Sequence, residues 1–368
     1  MVAGGSPLYN NPILMPAEQP EVTVHVIIPA RNEEDCLGRC LQSLVGQQGI
    51  DFRITVVDDG STDRTRAIAE SFSGVQVISA AEPASGVMGK CNALITGAQG
   101  STAGWLLFTD ADTFHYPGSL AAAVREAQER GVEFLSYSPE QEVVSFGERI
   151  LMPLVFADLV RTYPTARVND PRNPTAAANG QFILIRRELY EAVGGHNCVS
   201  DKILEDLALA QILKASGHKI WFRYGAGMVR TRMYRNFFAM WEGWTKGLAL
   251  LFQHPLLLAV MHLGDFLVVL FLLALGMALL QRDPNLSGGL LFLALFFYAI
   301  HAWRVSRAHF SWSSNLLSFL GLPLYVSLLV RSYIHTNMRG EVTWKGRKYR
   351  QSAPTGPADS STNKGRLT

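Results

Sequence analysis

Two apolar runs in this chain each end in a pair of acids. Ile54-Thr55-Val56-Val57 leads into Asp58-Asp59-Gly60-Ser61-Thr62-Asp63, and Trp105-Leu106-Leu107-Phe108-Thr109 leads into Asp110-Ala111-Asp112. Such runs read as buried strands, and carboxylates at the carboxyl ends of parallel strands sit where open α/β sheets bind ligands. Asp58 and Asp59 can accept from the imide N–H of a pyrimidine base or from ribose hydroxyls. Asp110 and Asp112 offer hard oxygen donors, the kind that hold Mg²⁺ or Mn²⁺ together with phosphates. Any Asp-x-Asp is common by chance; this one follows an apolar strand and precedes a loop with His115. A calcium loop would need further alternating acids and a closing Glu, which are missing.

Four more stations carry candidate chemistry. Pro29-Ala30-Arg31-Asn32-Glu33-Glu34 ends the first apolar strand. There the proline is expected to stop the strand and Asn32 to cap the next helix. Arg31 and Glu33 fit a solvated helix start as well as a ligand contact. Gly60 supplies a bend, with Ser61 or Thr62 at a helix start. Gly89-Lys90 opens a helix, where Lys is ordinarily solvated; beside the acids it offers a cation. Glu205-Asp206 falls in the first turn of a Leu/Ala-spaced helix, which the helix dipole alone explains. The same carboxylates can serve as a general base. Arg230-Thr231-Arg232-Met233-Tyr234-Arg235 is a basic knot suited to lipid headgroups or to a diphosphate.

The elements that must position these residues differ before and after residue 240. Before it, strands alternate with helices: strand 24–28, helix 33–45, strand 52–57, helix 62–71, strand 75–79, helix 89–98, strand 104–109 and helix 118–129. That order implies a mostly parallel sheet covered on both faces. No Gly-x-Gly-x-x-Gly turn follows the first strand, which argues against a dinucleotide-binding oxidoreductase. After residue 240 the chain turns lipid-like. Pro255–Leu280 is long enough to span a bilayer, Leu286–Trp303 is marginal, and Ser313–Ile334 is a third candidate broken by Gly321 and Pro323. Asn236–Phe252, and less clearly Arg149–Val160, read as helices lying on the membrane.

At 368 residues and a net charge of +2, the chain can bury a sizeable core and has no dense basic stripe for nucleic acid in its first 240 residues. Cys36, Cys40, Cys91 and Cys198 form no CxxC pair and no zinc spacing. The first residues lack the charged start and apolar stretch of a signal peptide, so the first domain is expected in the cytoplasm. Charge does not settle the topology. The link with Arg304 and Arg307 belongs on the inside, and so does the basic segment from Arg339 to Arg350, which three full spans would send outside. A re-entrant or interfacial third segment, with the tail inside, reconciles the two.

Taken in order, these residues resemble a membrane-bound family 2 glycosyltransferase of the GT-A fold. The matching runs are Ile28–Glu33, Val56–Asp63, Gly89-Lys90, Asp110-Ala111-Asp112 and Glu205-Asp206. Trp241–Gly247 and Trp344–Tyr349 look more specifically like the branch associated with hopanoid and carotenoid pathways. The resemblance implies inverting transfer of a sugar from a nucleotide-sugar, often a UDP-sugar. It implies nucleotide-sugar contacts from Pro29, Arg31, Glu33, Asp58, Asp59, Lys90, Asp110, Arg232 and Arg235. It further implies a Mg²⁺ or Mn²⁺ on Asp110 and Asp112, and Asp206 with Glu205 as the catalytic acids. Processive synthases of the family carry an arginine-tryptophan pair; here Arg235 is followed by Asn236, which favours single transfer.

The expected organisation is an N-terminal extension to residue 22, a GT-A domain over 23–235, an interfacial helix over 236–254, two to three transmembrane helices over 255–334 and a basic tail over 335–368. The expected enzyme is a multi-pass protein of the inner (cell) membrane with a cytoplasmic catalytic domain. Its acceptor is a hydroxyl of a membrane lipid: isoprenoid, hopanoid, carotenoid or sphingolipid-like. A polyprenyl-phosphate sugar synthase, a processive polysaccharide synthase and a non-catalytic nucleotide-sensing scaffold are the alternatives.

Overall fold

A computed structural model describes residues 23–338, 341–344 and 347–350 of the chain. The extension over 1–22, the tail from 351, and Lys345 and Gly346 of the Trp344–Tyr349 run lie outside the described residues.

The N-terminal half is built on a seven-stranded sheet. Its strands are β1 (Thr23–Ala30), β2 (Asp51–Asp58), β3 (Val75–Ser79), β4 (Trp105–Phe108), β6 (Phe134–Ser138), β8 (Ile183–Arg186) and β9 (Ile220–Tyr224), in the order β3-β2-β1-β4-β8-β6-β9. β1, β2, β3 and β4 run parallel; β8 alone is antiparallel to its neighbours β4 and β6. β4 buries all four of its residues because strands flank it on both edges and helices cover both faces. This is the mostly parallel α/β sheet that the alternating pattern implies.

Two apolar layers sandwich the sheet. Leu37, Cys40, Leu41 and Leu44 of the helix Leu37–Val45 pack one face with Val24, Val26 and Ile28 of β1. Ala93 and Leu94 of the helix Gly89–Ala98 pack the other face with Ile27 of β1 and Val57 of β2. The alternation along β1 sends its side chains to both layers. A second, small sheet holds β5 (Thr113–His115), β7 (Glu140–Gln141) and β10 (Val229–Thr231), with β10 in the middle.

Three local expectations change. β1 runs through Pro29 to Ala30, so the proline does not stop it. Asn32 does not cap the following helix, which begins only at Leu37. Its side chain instead accepts from the Thr62 N–H at 2.8 Å, and its backbone takes a positive φ of 53°. Neither Ser61 nor Thr62 caps the next helix (Thr65–Glu70); Asp63 accepts from Thr65 N at 2.9 Å and from Glu34 N at 3.1 Å. The two loops leaving β1 and β2 are stitched to each other, and that tertiary demand overrides local capping.

Beyond the sheet, the helix Phe146–Thr162 starts with a capping box between Ser145 and Glu148. The helix Phe237–Gly247 is capped by Asn236, whose side chain accepts from Ala239 N. Both pack through Leu151, Val155, Met240 and Trp244 onto the C-terminal helices. Among the described residues, three segments are long and apolar enough to cross a membrane: Pro255–Leu279, Pro284–Ser306 and Trp312–Asn337. The last is broken by a 3₁₀ turn at Ser318–Gly321.

Candidate active site

Asp110, at the end of β4, and Glu205, at a helix start, meet on one lysine. Lys90, in the first turn of Gly89–Ala98, lies 2.9 Å from Asp110 Oδ1 and 2.9 Å from Glu205 Oε1. Burial works against its charge, but Asp110, Glu205 and Asp206 overcome this and hold the ammonium well above its usual pKa. One lysine thus joins the end of β4 to the helix Glu205–Ala215.

Asp206 is held differently. Its Oδ2 accepts from Gly180 N at 2.8 Å and its Oδ1 from Leu207 N at 2.7 Å. Burial and the neighbouring Glu205 charge push its pKa up to about 6. The carboxylate is fixed in direction yet basic enough to take a proton near neutral pH, as general bases require.

Asp112 has other partners. Burial, then the charges of Asp110 and Glu33, push its pKa up to about 7. The Gln181 side-chain amide donates to it at 3.4 Å and to Thr231 Oγ1 at 3.2 Å. A recessed carboxylate raised by its acidic neighbours is short of positive charge. Asp110 and Asp112 therefore fit a divalent cation by donor type and by electrostatics. His115 is no ligand: it is buried and shares hydrogen bonds with Thr109 and Thr113.

The remaining stations form two flanks. On one, Arg31 donates to the Asp59 carbonyl, and its guanidinium is 3.9 Å from the Asp59 carboxylate. Asp58 accepts from Ser61 N at 3.0 Å, and Asp59 N donates to the carbonyl of Ala30 beside Pro29. Glu33 stands at the junction, close enough to act on Asp112. On the other flank, Arg232 pairs with Glu148 at 3.0 Å, and Arg235 reaches Asp35. Arg232, Arg235 and Asp112 share the wall of a small cavity of about 210 Å³.

Sequence reasoning missed the turn Asn179-Gly180-Gln181. It hands a backbone N–H to Asp206 and a side-chain amide to Asp112. Gly180 leaves room for the lysine: a Cβ there would lie 2.9 Å from Lys90 Nζ. An Asn-Gly pair before an apolar strand was the available signal, but it reads as an ordinary turn.

A larger cavity of about 810 Å³ runs past these acids. Lys90, Asp110, Asp112 and Asp206 line one part of it; Leu258, Met261 and Val305, from apolar helices, line another.

Removing the cation gives a pH signature. In Lys90→Met, Asp206 loses the neighbouring positive charge that restrains its pKa, so its folded-state pKa rises further above the unfolded value. The penalty is present where Asp206 is ionised and fades as it protonates on acidification. Thermal unfolding should show a larger loss at about pH 8 than at about pH 5. Equal losses at both would remove Lys90 from this electrostatic role.

Residues 25–194 match the family model described as glycosyl transferase family 2. A 4,4'-diaponeurosporenoate glycosyltransferase of Staphylococcus aureus (strain MRSA252) is 29% identical over 337 residues, covering 88% of this chain and 87% of that protein. The protein of the same name from strain USA300 is 28% identical over 338 residues, again covering 88% and 87%. Among solved structures, mannosyltransferase PcManGT from Pyrobaculum calidifontis has a TM-score of 0.47 at 19% identity, covering 86% of this chain and 87% of its own. Glucosyl-3-phosphoglycerate synthase from Mycobacterium tuberculosis has a TM-score of 0.39 at 20% identity, covering 58% and 72%. The strand-end acids stand on a mostly parallel sheet inside the region that matches the family 2 model, apolar helices lie beyond it, and the chain is a glycosyltransferase.

Proposed function

We propose that the protein transfers one sugar, with inversion, from a nucleotide-sugar to a polar group of a membrane lipid. The observation that carries this reading is the cavity with Asp206 in one part of its wall and membrane-helix residues in another. The donor is a UDP-sugar whose nucleoside lies near Asp58 and Asp59 and whose diphosphate lies near Asp110, Asp112 and the Arg232–Arg235 flank. The acceptor oxygen attacks the anomeric carbon, the bond from that carbon to the diphosphate breaks, and Asp206 takes the proton of a hydroxyl acceptor. A bound Mg²⁺ or Mn²⁺ on Asp110 and Asp112 supplies positive charge for the leaving diphosphate. Asn236, which caps a helix where processive synthases have Trp, supports single transfer.

The relatives' name supports a carotenoid-like acceptor, and it names a carboxylate. A carboxylate arrives ionised and needs no base, whereas a hydroxyl does. Asp206→Asn should lower turnover of a hydroxyl acceptor by about 10²–10⁴-fold while nucleotide-sugar binding is kept. With the wild type, kcat/KM for that acceptor should fall as pH drops below about 6, where Asp206 protonates. A carboxylate acceptor should be nearly indifferent to Asp206→Asn. Near-normal turnover of both acceptors in this variant would take Asp206 out of the mechanism.

The metal has its own check. Chelation with EDTA should abolish transfer and weaken UDP binding, and Mg²⁺ or Mn²⁺ should restore both. In Asp112→Asn, UDP binding should no longer respond to metal. A response like that of the wild type would place the cation elsewhere.

We further infer two full spans, with the third apolar segment re-entrant. His309, in the link after the second span, stacks on Tyr224 of the catalytic domain with centroids 4.2 Å apart, so that link lies on the catalytic side. The third segment begins beside it, where Arg149 donates to Ser313 at 2.9 Å. It descends until Phe319 meets Phe266 of the first span, then turns at Ser318–Gly321. Gly321 lets the turn pack against the helix Phe146–Thr162, because a Cβ there would lie 2.2 Å from the Ile150 carbonyl oxygen. The segment climbs back to Ser332, whose hydroxyl accepts from Ala249 N ahead of the first span. Both ends thus sit with the catalytic domain, which the basic residues on both sides place in the cytoplasm of an inner-membrane protein. In intact cells, an impermeant maleimide should label Gln281→Cys and spare Ser361→Cys. Labelling of Ser361→Cys from outside would make the third segment a full span.

A further inference from the structure

We propose that the larger cavity is a lateral channel that draws the apolar tail of the acceptor out of the bilayer. Its bilayer end is formed by the helix Phe146–Thr162 and the first two membrane spans. The proposal rests on the lipid-acceptor reading above and adds to it the route and the residues that shape it.

The wall has a definite sequence of chemistry. At the catalytic end stand Lys90, Asp110, Asp112 and Asp206. Next come the apolar side chains of Leu154, Phe156 and Ala157 from Phe146–Thr162, facing Leu258 and Met261 from the first span. Met261 is 47% exposed, so its side chain borders the channel and the lipid at once. Apolar walls between a polar reaction centre and the membrane suit an amphiphile whose reacting group goes to Asp206 and whose tail trails outward.

The bilayer end is not purely apolar. Asp158 accepts from His262 at 2.8 Å and from Tyr325 at 2.9 Å, tying the helix Phe146–Thr162 to two C-terminal helices. Asp265 of the first span pairs with Arg304 of the second. Asp158, His262, Asp265 and Arg304 all line the same cavity. Ionisable groups on membrane helices are costly and face interior or water-lined paths. Asp265 is ten residues into its helix, a depth of about 15 Å at the α-helical rise. These pairs form a collar that lets the acceptor's polar group leave the lipid without being stripped of every hydrogen-bond partner.

Ala157 is the position to test, because its small side chain leaves the channel open. The probe is a long-chain isoprenoid acid with a diazirine on its tail, in phosphatidylglycerol vesicles with the full-length protein. Irradiation should label Leu154, Leu258 and Met261 as well as the outward residues Phe292 and Leu295. Ala157→Phe should cut labelling inside the channel at least tenfold and leave Phe292, Leu295 and UDP binding unchanged; Ala157→Ser should behave as the wild type. Labelling confined to the outward residues in the wild type would overturn the channel. Undiminished channel labelling in Ala157→Phe would do the same. Sugar transfer by the wild type is scored separately: channel labelling with no lipid product from any acceptor would sink the functional reading and leave the channel standing.

Discussion

The Lys90 ammonium is the contact on which the site depends. Asp110 ends a central strand, Glu205 and Asp206 open a helix far along the chain, and like charges brought this close repel. Lys90 lies within 2.9 Å of both Asp110 and Glu205 and makes the cluster tolerable. Burial and the neighbouring Glu205 raise the proton affinity of Asp206, and burial with Asp110 and Glu33 raises that of Asp112; Lys90 offsets part of both.

The same economy governs the flank that holds Asp58 and Asp59. The loops after β1 and β2 have little regular structure, yet their backbone N–H groups are satisfied across the gap. Ser61, Asp63 and Thr65 accept from Asn32, Glu34 and Glu33 in turn. A loop pair cross-linked this way presents Asp58 and Asp59 at a fixed position relative to Arg31 and Glu33. Rigid support of this kind is what a binding site on loops needs.

The apolar half is part of the site's architecture. Phe146–Thr162 and Phe237–Gly247 pack on the apolar C-terminal helices through one continuous cluster, and Tyr224 of the sheet stacks on His309 in the link between two of those helices. A cavity can therefore have acids in one wall and residues of the apolar helices in another. A soluble domain tethered by a loose linker would have no such shared wall.

Much was legible in the residues alone. Apolar runs closed by acids marked β2 and β4, because buried strands and ligand-binding carboxylates have strong local signatures. The helical spacing of Leu37, Cys40, Leu41 and Leu44 marked the helix that covers β1, and the uncharged stretches marked the C-terminal helices. Partnership was not legible. Asn32 reads as a cap and serves instead as an acceptor for Thr62, since the choice between near and distant N–H groups is made by packing. Asn179-Gly180-Gln181 reads as a plain turn and gains meaning only when it meets Asp206 and Asp112. Whether the third apolar segment crosses depends on where Ser332 and Gly321 dock, which hydropathy does not encode. Sequence by itself determined the elements and the chemical types at their ends, because these follow from local periodicity and side-chain chemistry. Tertiary structure alone decided which charges face which, because that depends on distances between residues remote in the chain.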